Sequence, residues 1–291
     1  MVAPQAGLAT LALTFNAFTW GVSWWPFRWL QERGLHSLWA TVMVYAVAVL
    51  LITLWRPQAW GQLWRTPSLW WLVLASGATN ALFNTAVTIG DVVRVVLLFY
   101  LMPLWAVVLA RMLLGERLTA MAAVRVMLAL AGAAIVLWPA DGSAWPVPTT
   151  VAEGLALAGG FTFALNNVML RREAHRPESA RALAMFAGGT LVSLGAAVGL
   201  GTVGSVPWPP PPAWGWMSGL LALAAVFLAS NLALQYGSAR LPANATAVVM
   251  VSEVLFASAS AVALGAGSIS WSLAAGGTLI LGASLLAAWR R

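Results

Sequence analysis

The chain has 291 residues, of which 61% are hydrophobic and only 8% charged, with a formal net charge of +7. Soluble domains carry about 25% charged residues, so a water-soluble fold of this length is excluded. The positive surplus fits membrane topology and anionic lipid better than nucleic acid, because no basic stripe is interleaved with aromatics.

A helix needs about 20 mostly apolar residues to cross the hydrocarbon. On that measure the chain divides into ten spans, near 5–27, 36–55, 67–90, 93–114, 119–138, 149–170, 179–203, 213–237, 241–264 and 270–289. The fold class is therefore an all-α integral membrane protein of ten transmembrane helices. All 15 basic residues are Arg. Twelve of them (Arg56, Arg65, Arg111, Arg117, Arg125, Arg171, Arg172, Arg176, Arg181, Arg240, Arg290 and Arg291) fall on the even-numbered loops and the C-terminus. Only Arg28, Arg33 and Arg94 fall on the odd-numbered loops. Cytoplasmic loops carry the Arg excess, so both termini are expected in the cytoplasm, as an even number of spans requires.

Span 1 has no basic leader and no small-residue cleavage site, and is read as a retained span. Asn16, Thr19 and Ser23 share one of its faces, and Trp20 lies too deep to be an interfacial anchor. In span 3, Asn80, Asn84 and Thr88 fall at i, i+4 and i+8, again one face. Asp91 and Arg94 flank the very short turn that follows, where a local ion pair is expected. Pro103 removes a backbone bond in mid-span 4, as a hinge or as a static kink, and Tyr100, Met102 and Trp105 surround it. Thr162, Asn166 and Met169 line a face of span 6, and the Pro run 207–212 reads as a stiff external spacer. Span 8 carries Asn231, Gln235 and Ser238 on one face. Span 9 holds Met250 and Glu253, the latter being the only acid deep inside a span. An ionised acid at mid-bilayer costs about 2.5–3.5 kcal/mol on insertion scales, which makes it a functional candidate by default. Its alternative is a protonated acid that only ties span 9 to a neighbour.

Most of the 18 Trp lie at span ends, as an interfacial belt does. Trp20, Trp24, Phe83, Tyr100, Phe161 and Phe163 are instead candidates for an aromatic-walled cavity. The buried amides and hydroxyls are either glue between helices or the lining of that cavity.

Similar sequence recurs after about 143 to 151 positions. Phe18-Thr19-Trp20-Gly21 parallels Phe161-Thr162-Phe163-Ala164, Asn80 and Asn84 parallel Asn231 and Gln235, and Gly115 parallels Gly265 as a span stop. The halves divide as residues 1–140 and 147–291. Five crossings reverse the second copy, giving the inverted-topology repeat of a transporter whose halves rock around a midplane site.

The membrane interior offers one Glu, and the chain has no Cys and only His36 and His175. No clustered nucleophile, base or metal site results, so neither an enzyme nor a bound cofactor or metal is expected. No GxxxxGK[ST] run is present either, which leaves secondary transport rather than ATP. A channel would need a continuous polar pore.

Phe99-Tyr100-Leu101-Met102-Pro103-Leu104, running on to Leu114-Gly115-Glu116-Arg117-Leu118, resembles the EamA-type repeat of the drug/metabolite transporter superfamily, with its mid-helix Pro and its Gly-Glu turn. Trp20-Gly21-x-Ser23 resembles the same repeat's first helix. In the second half Val254 stands where that Pro would fall, and Ala266 replaces the turn Glu. Within the superfamily the chain looks most like the YddG-type exporters. The resemblance implies a bacterial inner-membrane protein that carries aromatic amino acids and related small molecules outward. From the sequence itself neither nucleic acid nor a cofactor is expected as a partner, and ten spans suffice to enclose a cavity in one chain, so a monomer in the lipid bilayer is expected. The site candidates are then Trp20, Trp24, Asn80, Phe83, Asn84, Tyr100, Met102, Trp105, Phe161, Phe163, Asn166, Asn231, Gln235, Met250 and Glu253, with Pro103 as hinge.

Overall fold

A computed structural model describes residues 3–115, 120–138, 147–173, 175–238, 240, 249–250 and 252–289. Among these residues the chain forms helices and no strand. The helices are α1 (Ala3–Val22), α2 (Trp24–Gln31), α3 (Ser37–Trp55), α4 (Gln58–Arg65), α5 (Pro67–Ile89), α6 (Val92–Phe99) and α7 (Met102–Leu114). After them come α8 (Ala120–Leu137), α9 (Val151–Arg172), α10 (Glu178–Thr202), α11 (Trp214–Ser238), α12 (Ser252–Ala263) and α13 (Trp271–Trp289). Five segments are both long and apolar enough to cross a membrane: Ser37–Trp55, Pro67–Ile89, Val92–Leu114, Glu178–Thr202 and Trp214–Leu234. Shorter apolar helices accompany them at Val126–Val136, Ser252–Ala263 and Trp271–Ala283.

The ends of the helices follow from local chemistry. His36 caps α3, its Nδ1 accepting from the Leu38 N–H at 3.2 Å. Thr150 and Glu153 form a reciprocal capping box at the start of α9. The Glu153 N–H donates to Thr150 Oγ1 at 3.2 Å, and the Thr150 N–H donates to Glu153 Oε2 at 3.3 Å. Gly115 after α7 and Gly265 after α12 take φ of +68° and +69°, the left-handed stop that only glycine adopts cheaply. The rest of the Gly115-Glu116 turn, the opening of the ninth span at 241–248, Trp145 and the last two arginines lie outside the described residues.

The fourth span, Val92–Leu114, is bent ahead of Pro103, where Tyr100 and Leu101 interrupt the α-helix between α6 and α7. Two expectations are corrected. The loop after α3 holds the additional helix α4, which buries Ala59 and Leu63 and leaves Trp64 exposed. Its eight residues are too few to register as a span. The Pro run is also more than a spacer. Trp39 Nε1 and Trp216 Nε1 donate to the carbonyls of Pro207 and Pro211, both at 3.1 Å, and Trp208 rests on Trp39. Trp216 is consequently buried, although its position at a span end reads as interfacial.

In the bundle α5 packs on α9 and α10, α1 packs on α11 and α12, and α6 and α7 pack on α9. α3 lies against α10 and α11, and α8 against α13. Small residues allow the closest crossings. A Cβ on Gly132 of α8 would stand 2.5 Å from the Gly276 carbonyl of α13, and one on Gly276 would stand 2.6 Å from the Gly132 carbonyl. With no hydrophobic force between helices in lipid, such backbone proximity and interhelical hydrogen bonds hold the bundle together.

Candidate functional site

The break between α6 and α7 begins with Pro103, which has no N–H to offer the Phe99 carbonyl four residues back. The backbone tightens there instead. Tyr100 and Leu101 have ψ near zero, the Leu101 N–H donates to Leu98 O at 3.2 Å, and the Leu104 N–H donates to Leu101 O at 3.0 Å. The Phe99 carbonyl faces α9 at Gly160, where a Cβ would come within 2.5 Å of that oxygen. Glycine at 160 is what lets α9 lie against the broken helix.

Across the break stands α12. The Tyr100 hydroxyl donates to Glu253 Oε2 at 3.0 Å, with the Met250 carbonyl 3.5 Å from the same hydroxyl. Tyr100 is buried while Glu253 is partly exposed, so the acid is held on one side and open on another. On its backbone side, Glu253 is approached by α1. A Cβ on Gly21 would be 2.7 Å from the Glu253 carbonyl. Phe99 anchors an aromatic wall beside the pair, with ring centroids 4.6 Å from Phe83 and 5.2 Å from Phe163. Trp24 joins the same apolar cluster and donates from Nε1 to Ser260 Oγ on α12 at 2.9 Å.

The candidates of the sequence thus divide. Trp24, Phe83, Tyr100, Met102, Phe163, Met250 and Glu253 come together at the break. Trp105 and Phe161 stack edge to face at 5.5 Å on its flank, where Met102 touches both clusters and the Trp105 Nε1 donor is buried without a partner. Trp20 faces away, edge-on to Phe227 at 4.7 Å. Asn80 and Asn84 face α3. Asn80 Oδ1 accepts from the Tyr45 hydroxyl, and Asn84 Nδ2 donates to Thr41 Oγ1 at 3.0 Å. Asn166 is buried on α9, with an Oδ1 acceptor that has no partner. Asn231 on α11 is half-buried and engaged, and the side chains of Gln235 and Pro103 lie outside the described atoms. Asn16 ties α1 to α11, its Nδ2 donating to Ser230 Oγ at 2.7 Å and Ser230 O at 2.9 Å. Thr79 and Thr162 tie α5 to α9 at 3.0 Å.

The local pair expected of Asp91 and Arg94 does not form. Asp91 Oδ1 caps α6 by accepting the Arg94 N–H at 2.9 Å, which sends the guanidinium elsewhere, and Arg94 Nε pairs with Glu153 of α9 at 2.5 Å. The sequence reading missed Ser260, Gly160 and this ion pair. Only the pair left a trace, in the Thr150-x-x-Glu153 spacing of a capping box.

Set beside known proteins, the chain has similarities in sequence and in fold. Residues 7–138 match the EamA-like transporter family. The match suggests a membrane transporter of the drug/metabolite type, and the family is not one of enzymes. No curated protein matches the chain. A solved structure titled only "Crystal structure of protein" is similar over 96% of each chain, at 22% identity and a TM-score of 0.58, which is a likeness of fold. With the apolar helices, the family match indicates a multi-pass membrane protein.

Proposed function

We propose that the chain is a secondary transporter of the bacterial inner membrane that exports aromatic amino acids and related metabolites by alternating access. The observation that carries this reading is the Tyr100–Glu253 pair, where a lone membrane acid meets a broken helix beside the rings of Phe83, Phe99 and Phe163. A carboxylate can receive a substrate ammonium, and the ring faces suit a planar side chain.

The helix pairings support ten spans in two inverted five-span halves, residues 1–140 and 147–291. If the first five spans are exchanged with the second five, the α1–α11 pairing becomes α9–α5, and α1–α12 becomes α9 with α6 and α7. Likewise α3–α11 becomes α10–α5, while α3–α10 and α8–α13 map onto themselves. The matching glycine stops at 115 and 265 agree. The arginine asymmetry supports cytoplasmic termini, and ten spans would suffice to enclose a site within a single chain, which favours a monomer.

The same lone acid also suits a cationic amine, so export of other metabolites or cationic drugs is the second reading. Counterflow in proteoliposomes with labelled Phe, Trp and Thr tests both. Accelerated exchange of an aromatic amino acid, lost in Glu253→Gln, is the expected result. Exchange of an aromatic amine alone supports the second reading, and identical rates and pH dependence in Glu253→Gln remove the acid from the mechanism.

A further inference from the structure

A cleft of about 600 Å³ opens at the end of the bundle that the arginine asymmetry assigns to the outside, away from the Tyr100–Glu253 pair. Its walls are the last turn of α2, the α5–α6 turn and the α12–α13 turn, so both halves of the chain contribute. The two turns are tied together, since the Val92 N–H donates to Ala266 O at 3.4 Å and the Ser268 N–H donates to Asp91 Oδ2 at 3.3 Å.

The polar groups on the α2 wall are unevenly satisfied. Arg28 donates from Nε to Val87 O at 3.1 Å and from a terminal nitrogen to Gly90 O, both neutral carbonyls at the end of α5. Among the described residues it makes no ion pair: Asp91 and Glu32 act on it only from beyond contact distance, and its Cζ lies 5.2 Å from the centroid of the Trp24 ring. Gln31 Oε1 is buried there with no hydrogen-bond partner. Glu32, four residues beyond Arg28 and on the same face, is exposed and lines the same cleft. Asp91 has both oxygens engaged, by the N–H groups of Arg94 and Ser268, and serves as wall. A guanidinium held by two neutral carbonyls with no contacting carboxylate, an orphan amide oxygen and an open carboxylate side by side complement a ligand carrying one carboxylate and one ammonium a few ångströms apart. A simple anion would leave the Gln31 acceptor and the Glu32 charge unmatched, and a simple cation would leave Arg28 unmatched.

We propose that this cleft is a second, outer binding site for the zwitterionic head of an α-amino acid, with Arg28 receiving the carboxylate and Gln31 Oε1 and Glu32 receiving the ammonium. It deepens the proposed export function and rests on that reading for its orientation and its solute: an amino acid leaving the core is held at the mouth before release, and external amino acid competes there.

The chain contains no Cys, so Ser268→Cys introduces a single reporter thiol at the exposed rim. The experiment measures how phenylalanine slows modification of that thiol by a hydrophilic methanethiosulfonate in detergent micelles. Phenylalanine is expected to protect, while N-acetylphenylalanine, without the ammonium, and phenethylamine, without the carboxylate, protect at least about tenfold less well, the factor for one lost charged contact of roughly 1.4 kcal/mol. Adding Arg28→Gln or Glu32→Gln weakens protection by the same order, and adding Glu253→Gln leaves it intact. Arg28 also holds the end of α5, so Glu32→Gln, which removes no internal bond, is the deciding variant. Absent protection, equal protection by all three ligands, or protection indifferent to Glu32→Gln overturns the proposal. Protection abolished by Glu253→Gln alone also overturns it, since the effect then originates in the core. Protection of the expected form in a protein that moves no amino acid sinks the transport reading and leaves the outer site standing. Modification of the thiol in sealed cells reports separately on which side the cleft faces.

Discussion

Replacing Gly160 with Ala perturbs the candidate site by one methyl group. The added Cβ lies 2.5 Å from the Phe99 carbonyl, and ordinary contact begins at 3.4 Å, so a separation of about 0.9 Å is required. The obstructing atom is backbone, and no rotamer change can relieve it. Either α9 or the α6–α7 break must move. Overpacking of this kind costs about 1–3 kcal/mol. The same displacement draws Phe163, one turn along α9, away from Phe99, now 5.2 Å distant. The expected outcome is an apparent Tm lower by about 2–12 °C, at roughly 2–4 °C per kcal/mol, together with a reduced initial rate of transport in proteoliposomes. Gly154 supplies the control on the same helix, because a Cβ there meets nothing within 4 Å. Gly154→Ala gains up to about 1 kcal/mol of helix propensity in place of a clash, and its Tm holds or rises. If the two variants have the same Tm and the same rate, the close approach of α9 to the broken helix is not what shapes this site.

Other outcomes follow from the same contacts. Asn16→Ala removes the α1–α11 bonds to Ser230 and lowers stability by about 0.6–1.7 kcal/mol, the range for interhelical bonds in lipid; an unchanged Tm in thermal denaturation refutes the tie. Thr150→Ala breaks the capping box of α9 at a cost of about 0.5–2 kcal/mol, which thermal denaturation also reads. A double-mutant cycle of Arg94→Gln and Glu153→Gln is expected to give a coupling of about 1 kcal/mol, because Glu153 is buried while Arg94 remains partly open to screening. Additive effects would show that the two side chains do not act as a pair. Burial holds His36 below the usual histidine value of 6.5, and its neutral Nδ1 caps α3. The unfolded chain therefore takes up the proton first, so the stabilisation is present above about pH 6.5 and lost as pH falls through the folded value. In a Tm series over acid pH, His36→Asn, which caps without titrating, should show a shallower decline than the native chain.

Much of the helical layout was legible because hydropathy and punctuation report on the same boundaries. Gly115 and Gly265 end their helices as their spacing implied, and the apolar runs at 36–55, 67–90 and 179–203 lie within two residues of the observed helices. What the sequence could not give was partnership. The spacing of Asn80 and Asn84 says that they share a face, but not that the face meets Tyr45 and Thr41 of α3. The same holds for Arg94, whose carboxylate partner comes from a distant helix, while the near one is drawn off by the cap of α6. Pro103 located the interruption of the fourth span, yet a proline acts on the carbonyl four residues upstream, so the break precedes it. Helix α4 escaped because an eight-residue amphipathic turn resembles a polar loop in any window long enough to detect a span.

The glycine contact between α8 and α13 bears on how such a molecule could work. Gly132 and Gly276 press main chain against main chain in both directions, with no side chain between them to slide or re-pack. Helices α8 and α13 are thereby fastened to each other, as the pin of a hinge is fastened to both leaves. Under the proposed alternating access the rest of the bundle would turn about that pin, and a bulky substituent at either glycine would force the two backbones apart.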